Sequence, residues 1–381
     1  MLGMILILSK YFNLKNGAAR SALDMARASL ENENNTALIY GQTFDYYNLF
    51  SWLNKKNLSI HRAPKFGGKK NKLLSRCESI IFDNSRLKVL KNMNPDMLLV
   101  NSLSSDFCGQ HLKQVLDCPT ILVVRESPSF YKNITSAIKR IKKFDHHLFV
   151  SKNGMEDWMD CAELNPKNCY HIPNCMDAKI ADSVLKFDKT YIREKLGFSN
   201  TELILSCVGR FMDRKNQQFL VEQLNELINQ IPNLKLVFIG KQGGHYSRKF
   251  NQYICEKKLQ NRVVCTGRKK NVLEFIYASD CLLLPSKAEA SPRVIYESMA
   301  VGIPAIASNV DGVPELIEHE KTGWLFNLEN PNEFRQGVVK LSTDLQYKNM
   351  LGKAAREKFL ENYTFEIYNF KMSEFFNSIK N

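Results

Sequence analysis

Glu289-Ala-Ser-Pro-Arg-Val-Ile-Tyr-Glu297 sets two carboxylates eight positions apart, and the small-residue run Ser298-Met-Ala-Val-Gly-Ile-Pro304 follows it directly. A strand pattern, Cys281 to Leu284, stops just before it at Pro285, and the apolar spacing after it is helical, which puts Glu289 in a strand-to-helix loop. Ser291 is the expected N-cap and Pro292 the expected first helical residue, because the N–H that proline lacks has no acceptor there anyway. Glu297 then falls about one and a half turns into the helix, facing inward. The N–H groups of Arg293 and Val294 lie between the two carboxylates at the positive end of the helix dipole and form an anion site. Such a site suits a ligand with a phosphate at the helix end and hydroxyls on either side.

Working outward, Val208-Gly-Arg-Phe-Met-Asp-Arg-Lys-Asn216 ends a strand in glycine and arginine, with a lysine five residues on. Gly267-Arg-Lys-Lys-Asn-Val272 and Tyr277-Ala-Ser-Asp-Cys-Leu-Leu-Leu-Pro-Ser286 lead into the glutamate stretch, and Asp311-Gly-Val-Pro-Glu315 with Lys321-Thr-Gly-Trp324 leads out. In order and spacing, from about Ile172 to Phe326, this series resembles the E-x7-E signature of retaining GT-B glycosyltransferases of the family 4, or group 1, type. The first half of the chain resembles that family only in outline.

The resemblance implies a role for each matching residue. Arg210 and Lys215, the first ending a strand beside Gly209 and the second opening the next helix, would offset charge on the leaving diphosphate. Glu289 would lie against the donor sugar, and Glu297 would hydrogen-bond the nucleotide ribose. Arg293 and Val294 would cradle the distal phosphate, and Arg268 to Asn271 would flank the base. Where family members often carry Gly-Phe after the first glutamate, this chain has Ala290-Ser291, which reshapes the sugar pocket. Backbone readout of the base leaves uracil, guanine and adenine undistinguished.

Composition agrees with this reading without producing it. At 381 residues the chain is long enough for two cores, and 44% hydrophobic with 24% charged residues is ordinary for a globular protein. Ten scattered cysteines without a C-x-x-C pair read as reduced packing residues in a cytosolic protein. Met1 to Leu8 is too short for a signal peptide or a span and reads as a first buried strand. The net charge of +14 gathers in two segments, Arg62 to Arg76 and Lys139 to Lys143. Solvated surface competes there with attraction to an anionic membrane or a lipid diphosphate, whereas nucleic acid is disfavoured because no recognised binding motif accompanies the charge.

Short β-rich runs alternate with helical patterns along the whole chain, predicting two tandem Rossmann-like doubly wound α/β domains. The expected division is 1–172 for the acceptor, 178–362 for the nucleotide sugar, and a final helix, 363–381, that packs back on the first domain. Strands are expected at Met4–Leu8, Thr36–Tyr40, Leu58–His61, Met97–Asn101, Thr120–Val124 and His147–Ser151. In the second half they are expected at Leu203–Val208, Leu234–Ile239, Val263–Thr266, Cys281–Leu284 and Pro304–Ala307. Helices are expected at Ala18–Leu30, Tyr46–Asn54, Asn84–Asn92, Phe107–Leu116 and Asn153–Met159.

In the first half Gly17 opens a helix after the first strand, resembling the family's glycine loop; a simple helix-start turn reads equally well. The family histidine at a central strand end is absent, since the matching segment is Val124-Arg125-Glu126-Ser127-Pro128, leaving Arg125 and Glu126 as candidates for sugar or acceptor contact. His146 and His147 read as surface or core residues. Gly240-Lys-Gln-Gly-Gly244 is either a plain turn or a close approach to the nucleotide. No D-x-D occurs, so no divalent metal and no cofactor are expected.

The reading is a cytoplasmic glycosyltransferase at the membrane surface, moving a sugar with retention from a nucleotide diphosphate sugar to a glycan or lipid-linked oligosaccharide in surface polysaccharide assembly. Closure about residues 172–177 would exclude water. Alternatives are a nucleotide-sugar epimerase or hydrolase and an inactive partner subunit. A dinucleotide dehydrogenase is disfavoured because no G-x-G-x-x-G follows the first strand.

Overall fold

A computed structural model describes residues 3–12, 17–44, 58–62 and 84–380. The helix expected at Tyr46–Asn54, the basic run beyond Arg62 and residues Lys15 and Asn16 lie outside the described residues. The chain divides into two units, one formed by Met1–Cys175 with Phe365–Asn381 and the other by Met176–Thr364.

Unit 1 holds strands β1 (Met4–Phe12), β2 (Asn35–Phe44), β3 (Leu58–Arg62), β4 (Met97–Asn101), β5 (Thr120–Val124), β6 (His146–Phe149) and β7 (Cys169–His171). They form one sheet in the order β3-β2-β1-β4-β5-β6-β7. Every pairing is parallel. The helices between them are α1 (Gly17–Glu31), α2 (Asn84–Asn92), α3 (Asp106–Lys113), α4 (Ile134–Ile141) and α5 (Lys152–Ala162). Because crossover helices cover both faces of a parallel sheet, its central strands must be mostly apolar. Every residue of β4 and β5 is buried accordingly.

Unit 2 repeats the plan. Its short leading helices are α6 (Ala178–Leu185) and α7 (Lys189–Lys195). Its strands are β8 (Leu203–Val208), β9 (Leu234–Ile239), β10 (Val263–Gly267), β11 (Cys281–Leu284), β12 (Ala305–Ser308) and β13 (Trp324–Phe326), paired in parallel in the order β10-β9-β8-β11-β12-β13. Between and after the strands come α8 (Gln217–Gln230), α9 (Gly244–Glu256), α10 (Val272–Ala278), α11 (Arg293–Ala300), α12 (Val313–Leu316), α13 (Pro331–Thr343) and α14 (Leu345–Asn362). Both sheets therefore reverse direction once, between β1 and β4 and between β8 and β11. The two doubly wound units match the expected fold class.

The last helix, α15 (Phe365–Lys380), belongs to unit 1 and packs on α1. Tyr368, Met372, Phe375 and Phe376 are buried, each burial worth about 1.5–3 kcal/mol. The Arg27 guanidinium lies 3.6 Å from the centre of the Phe365 ring, and Asn32 Nδ2 donates to Asn369 Oδ1 at 2.9 Å. Several short elements, β7, β13 and α4 among them, went unread in the sequence. The strands β7 and β13 have three residues each, below the length at which alternation shows, and α4 buries only Ala137 and Ile141.

Candidate functional site

In open parallel sheets the crevice for ligands lies beyond the strand C-termini where the strand order reverses. In unit 2 that point is flanked by the exits of β8 and β11. The chain leaves β8 through Gly209, whose φ of 157° lies at the edge of the range open to glycine, and tightens into a short turn, Asp213–Lys215. Gly240, at the exit of β9, comes so close that a Cβ there would sit 1.8 Å from Gly209 O. Hydrogen bonds from Gly209 N to Ile239 O (3.0 Å) and from Phe211 N to Lys241 O (3.1 Å) fasten the two loops. Gly240 is thus required by the close approach of the β8 and β9 exits to each other.

From this turn Lys215 Nζ donates to Glu289 Oε1. Arg214 Nη1 lies 3.1 Å from the same oxygen and donates to Ala288 O at 2.6 Å. Glu289 is 8% exposed. Burial alone would raise its pKa, but the Lys215 ammonium and the Arg214 guanidinium outweigh that and hold the carboxyl below its usual range. Its backbone is gripped as well, its N–H donating to Asp311 Oδ2 at 2.7 Å and its carbonyl accepting from Gly312 N at 3.1 Å. Asp311 holds this grip from a left-handed conformation, φ 43°. The glutamate is therefore an ionised, immobile group between two cations.

Arg214 was not singled out in the sequence. Its one signal is a basic side chain directly ahead of Lys215 in a tight turn. Arg210, by contrast, is exposed, while its carbonyl accepts from the Nε2 of Gln217 at 3.1 Å. The structure brings Lys215 and Glu289 together and leaves Arg210 in solvent.

The helix after Glu289 starts one residue later than expected. Pro292, not Ser291, is the N-cap, with φ −72° and ψ 112°, and no side chain caps the helix. The Ser291 hydroxyl lies 2.6 Å from the Tyr296 hydroxyl instead. Tyr296 is 1% exposed, and a buried phenol needs a polar partner. Arg293 and Val294 are thus the first two helical residues, and Glu297 is half-buried at the fifth. Arg268 is exposed after β10, and Asn271 is the N-cap residue of α10, where its side chain pairs with Glu274 at 2.7 Å.

In unit 1 the crevice lies between the exits of β1 and β4, and Gly17, exposed, is the first residue of α1. Arg125 Nε donates to Asn101 Oδ1 at 2.6 Å, and its Nη1 donates to Asn174 Oδ1 at 3.0 Å. The Glu126 carbonyl accepts from Trp158 Nε1 at 2.8 Å, and its carboxylate from Tyr131 Oη at 3.4 Å. His147 is 4% exposed, hydrogen-bonded to Ile141 O, and burial lowers its pKa, which makes it a core residue. Within the basic run Lys139–Lys143, Arg140 is engaged with both carboxylate oxygens of Asp106, and Lys139, Lys142 and Lys143 are exposed. Among the described residues no helix is long and apolar enough to cross a membrane.

The chain is similar to known glycosyltransferases. Residues 188–358 match the family described as glycosyl transferases group 1. The N-acetyl-alpha-D-glucosaminyl L-malate synthase of Bacillus anthracis is 27% identical over 266 residues, covering 69% of this chain and 67% of that relative. The UDP-Gal:alpha-D-GlcNAc-diphosphoundecaprenol alpha-1,3-galactosyltransferase of Escherichia coli is 26% identical, covering 76% of this chain and 78% of that relative. Among solved structures, Anabaena HepE in complex with UDP and glucose superposes with a TM-score of 0.82 at 18% identity, over 99% of this chain and 100% of that one. The chain is a glycosyltransferase enzyme with the GT-B fold.

Proposed function

We propose that the enzyme transfers a sugar, with retention at the anomeric carbon, from a nucleoside diphosphate sugar bound in the unit 2 crevice to a hydroxyl of a glycan or lipid-linked acceptor. The observation that carries this reading is the Lys215–Glu289–Arg214 cluster beside the uncapped start of α11. Breaking the sugar–phosphate bond adds negative charge to the leaving diphosphate. Lys215, Arg210 and the N–H groups of Arg293 and Val294 supply positive charge for it, without a divalent cation. Glu289, fixed by its clamped backbone, holds a sugar hydroxyl, and Glu297 holds the ribose. The acceptor hydroxyl attacks the face from which the diphosphate departs, and a phosphate oxygen takes its proton. Lys139, Lys142 and Lys143, with the basic run after Arg62, favour an anionic membrane surface.

A UDP-hexose is the first donor to test, because the Escherichia coli relative is named for UDP-Gal and Anabaena HepE was solved with UDP and glucose. The experiment is turnover of UDP-, GDP- and ADP-sugars in EDTA, with and without a lipid-linked glycan fraction. Nucleoside diphosphate release stimulated by the glycan fraction supports the proposal. Conversion of the donor alone to an epimer or free sugar replaces it with an epimerase or hydrolase.

A further inference from the structure

Arg125 stands where a contact to substrate was expected, yet its side chain runs along the protein. Its Nε and Nη1 each reach a different amide oxygen, on Asn101 at the end of β4 and on Asn174 beside the unit boundary. Both amides continue to the same place. Asn101 Nδ2 donates to Ala18 O at 2.9 Å and to Ser9 Oγ at 3.0 Å. Asn174 Oδ1 also accepts from Ser21 Oγ at 2.8 Å, and that hydroxyl lies 3.1 Å from Gly17 O. The two asparagines and Ser21 are buried, 1%, 6% and 2% exposed. Two arms from one guanidinium therefore converge on Gly17, Ala18 and Ser21, the first turn of α1. Helix ends fray unless they are held from outside, and here the hold is on the Gly17 and Ala18 carbonyls and the Ser21 hydroxyl.

The geometry points to Arg125 as a positioning residue that fixes the first turn of α1 and the segment ending at Asn174 against the sheet. It acts through Asn101 and Asn174 and not by touching the sugar. Resting on the transferase reading above, it sets the geometry of the acceptor side while leaving donor binding in unit 2 alone. The fork matters more than the charge. A lysine carries one ammonium on a flexible stem, whereas a guanidinium presents planar donors in a fixed spread that spans both amides.

The test joins amide hydrogen exchange with steady-state kinetics on the full chain, for the wild type, Arg125→Met, Arg125→Lys, Asn174→Ala and Asn174→Asp. In Arg125→Met, amide exchange at Ser21 and Ala22 rises about tenfold or more while exchange around Glu289 is unchanged. Transfer kcat falls about 10- to 100-fold with donor affinity within twofold. Arg125→Lys does not restore protection. Asn174→Asp keeps it, because a carboxylate accepts from both Arg125 and Ser21, and Asn174→Ala does not. Unchanged exchange at the start of α1 in Arg125→Met, full protection in Arg125→Lys, or a loss that falls on donor affinity overturns the assignment. Should the wild type transfer no sugar, the transferase reading fails, and the exchange data still decide whether Arg125 holds the helix.

Discussion

The two units share one strand order and one kind of crevice, and they fill it with opposite chemistry. At the unit 2 switch point a carboxylate sits between an ammonium and a guanidinium, its backbone gripped by Asp311 and Gly312. Beside the unit 1 switch point, Arg125 at the exit of β5 is bonded to neutral amides that lead to the carbonyls and hydroxyl of a helix start. The difference separates two tasks that a transferase must perform. In the proposed reaction, paired charges serve where charge develops, and hydrogen bonds from one guanidinium to neutral amides serve where a surface need only be held still.

The contrast breaks most readily at Glu289. Glu289→Gln removes the carboxylate to which both Lys215 and Arg214 are bonded, and transfer kcat falls about 10²- to 10³-fold. A variant within tenfold of the wild type would place the essential charge elsewhere. Gly240→Ala comes next, because its Cβ would meet backbone, Gly209 O, at 1.8 Å. We expect a loss of about 3 kcal/mol or more in urea unfolding, and an unchanged midpoint would show that the β8 and β9 exits can separate freely.

A smaller effect sharpens the electrostatic side. The Glu289 carboxyl lies below its unfolded value of 4.5, so its contribution to stability is complete above that pH and is lost as pH falls through the folded value. Removing one of the two cations in Arg214→Gln moves the acidic limb of kcat upward, with a few-fold loss at neutral pH. An acidic limb identical to the wild type would mean that Lys215 alone keeps the carboxyl ionised.

The smallest effect on activity is expected far from either crevice. Lys189 Nζ donates to Ser279 O at 2.6 Å near Asp280, Arg193 and Lys348, and burial pushes its ammonium down to about 8. A lysine whose folded value is depressed from 10.5 disfavours the fold while both states are protonated, below about 8, and that penalty fades as pH rises toward 10.5. Lys189→Met should flatten the rise in stability over this window and leave turnover unchanged. A slope equal to the wild type's would assign the rise to another group.

Unit 2 was the more legible half, for a physical reason. Its charged residues lie in contiguous stretches at strand exits, and each strand from β8 to β12 is a compact apolar run, so the positions of Lys215 and Glu289 followed from local pattern. Unit 1 gathers Ser9, Ser21, Asn101, Arg125 and Asn174 from separate segments, and serines and asparagines at such sites have no periodicity to reveal them. Arg125 was conspicuous only for standing in place of a histidine, and its hydrogen bonds belong to the fold. Ser291 was misread because an N-cap pattern is local, whereas the demand of the buried Tyr296 hydroxyl becomes visible only after packing.

The most direct measurement is calorimetric titration of a UDP-hexose, in EDTA, into the wild type, Lys215→Met and Arg125→Met. Binding by the wild type, weakened about 10- to 100-fold in Lys215→Met and within twofold in Arg125→Met, is the predicted result. Equal affinity in Lys215→Met and the wild type, or a loss confined to Arg125→Met, would contradict the assignment of the donor to the charged crevice of unit 2.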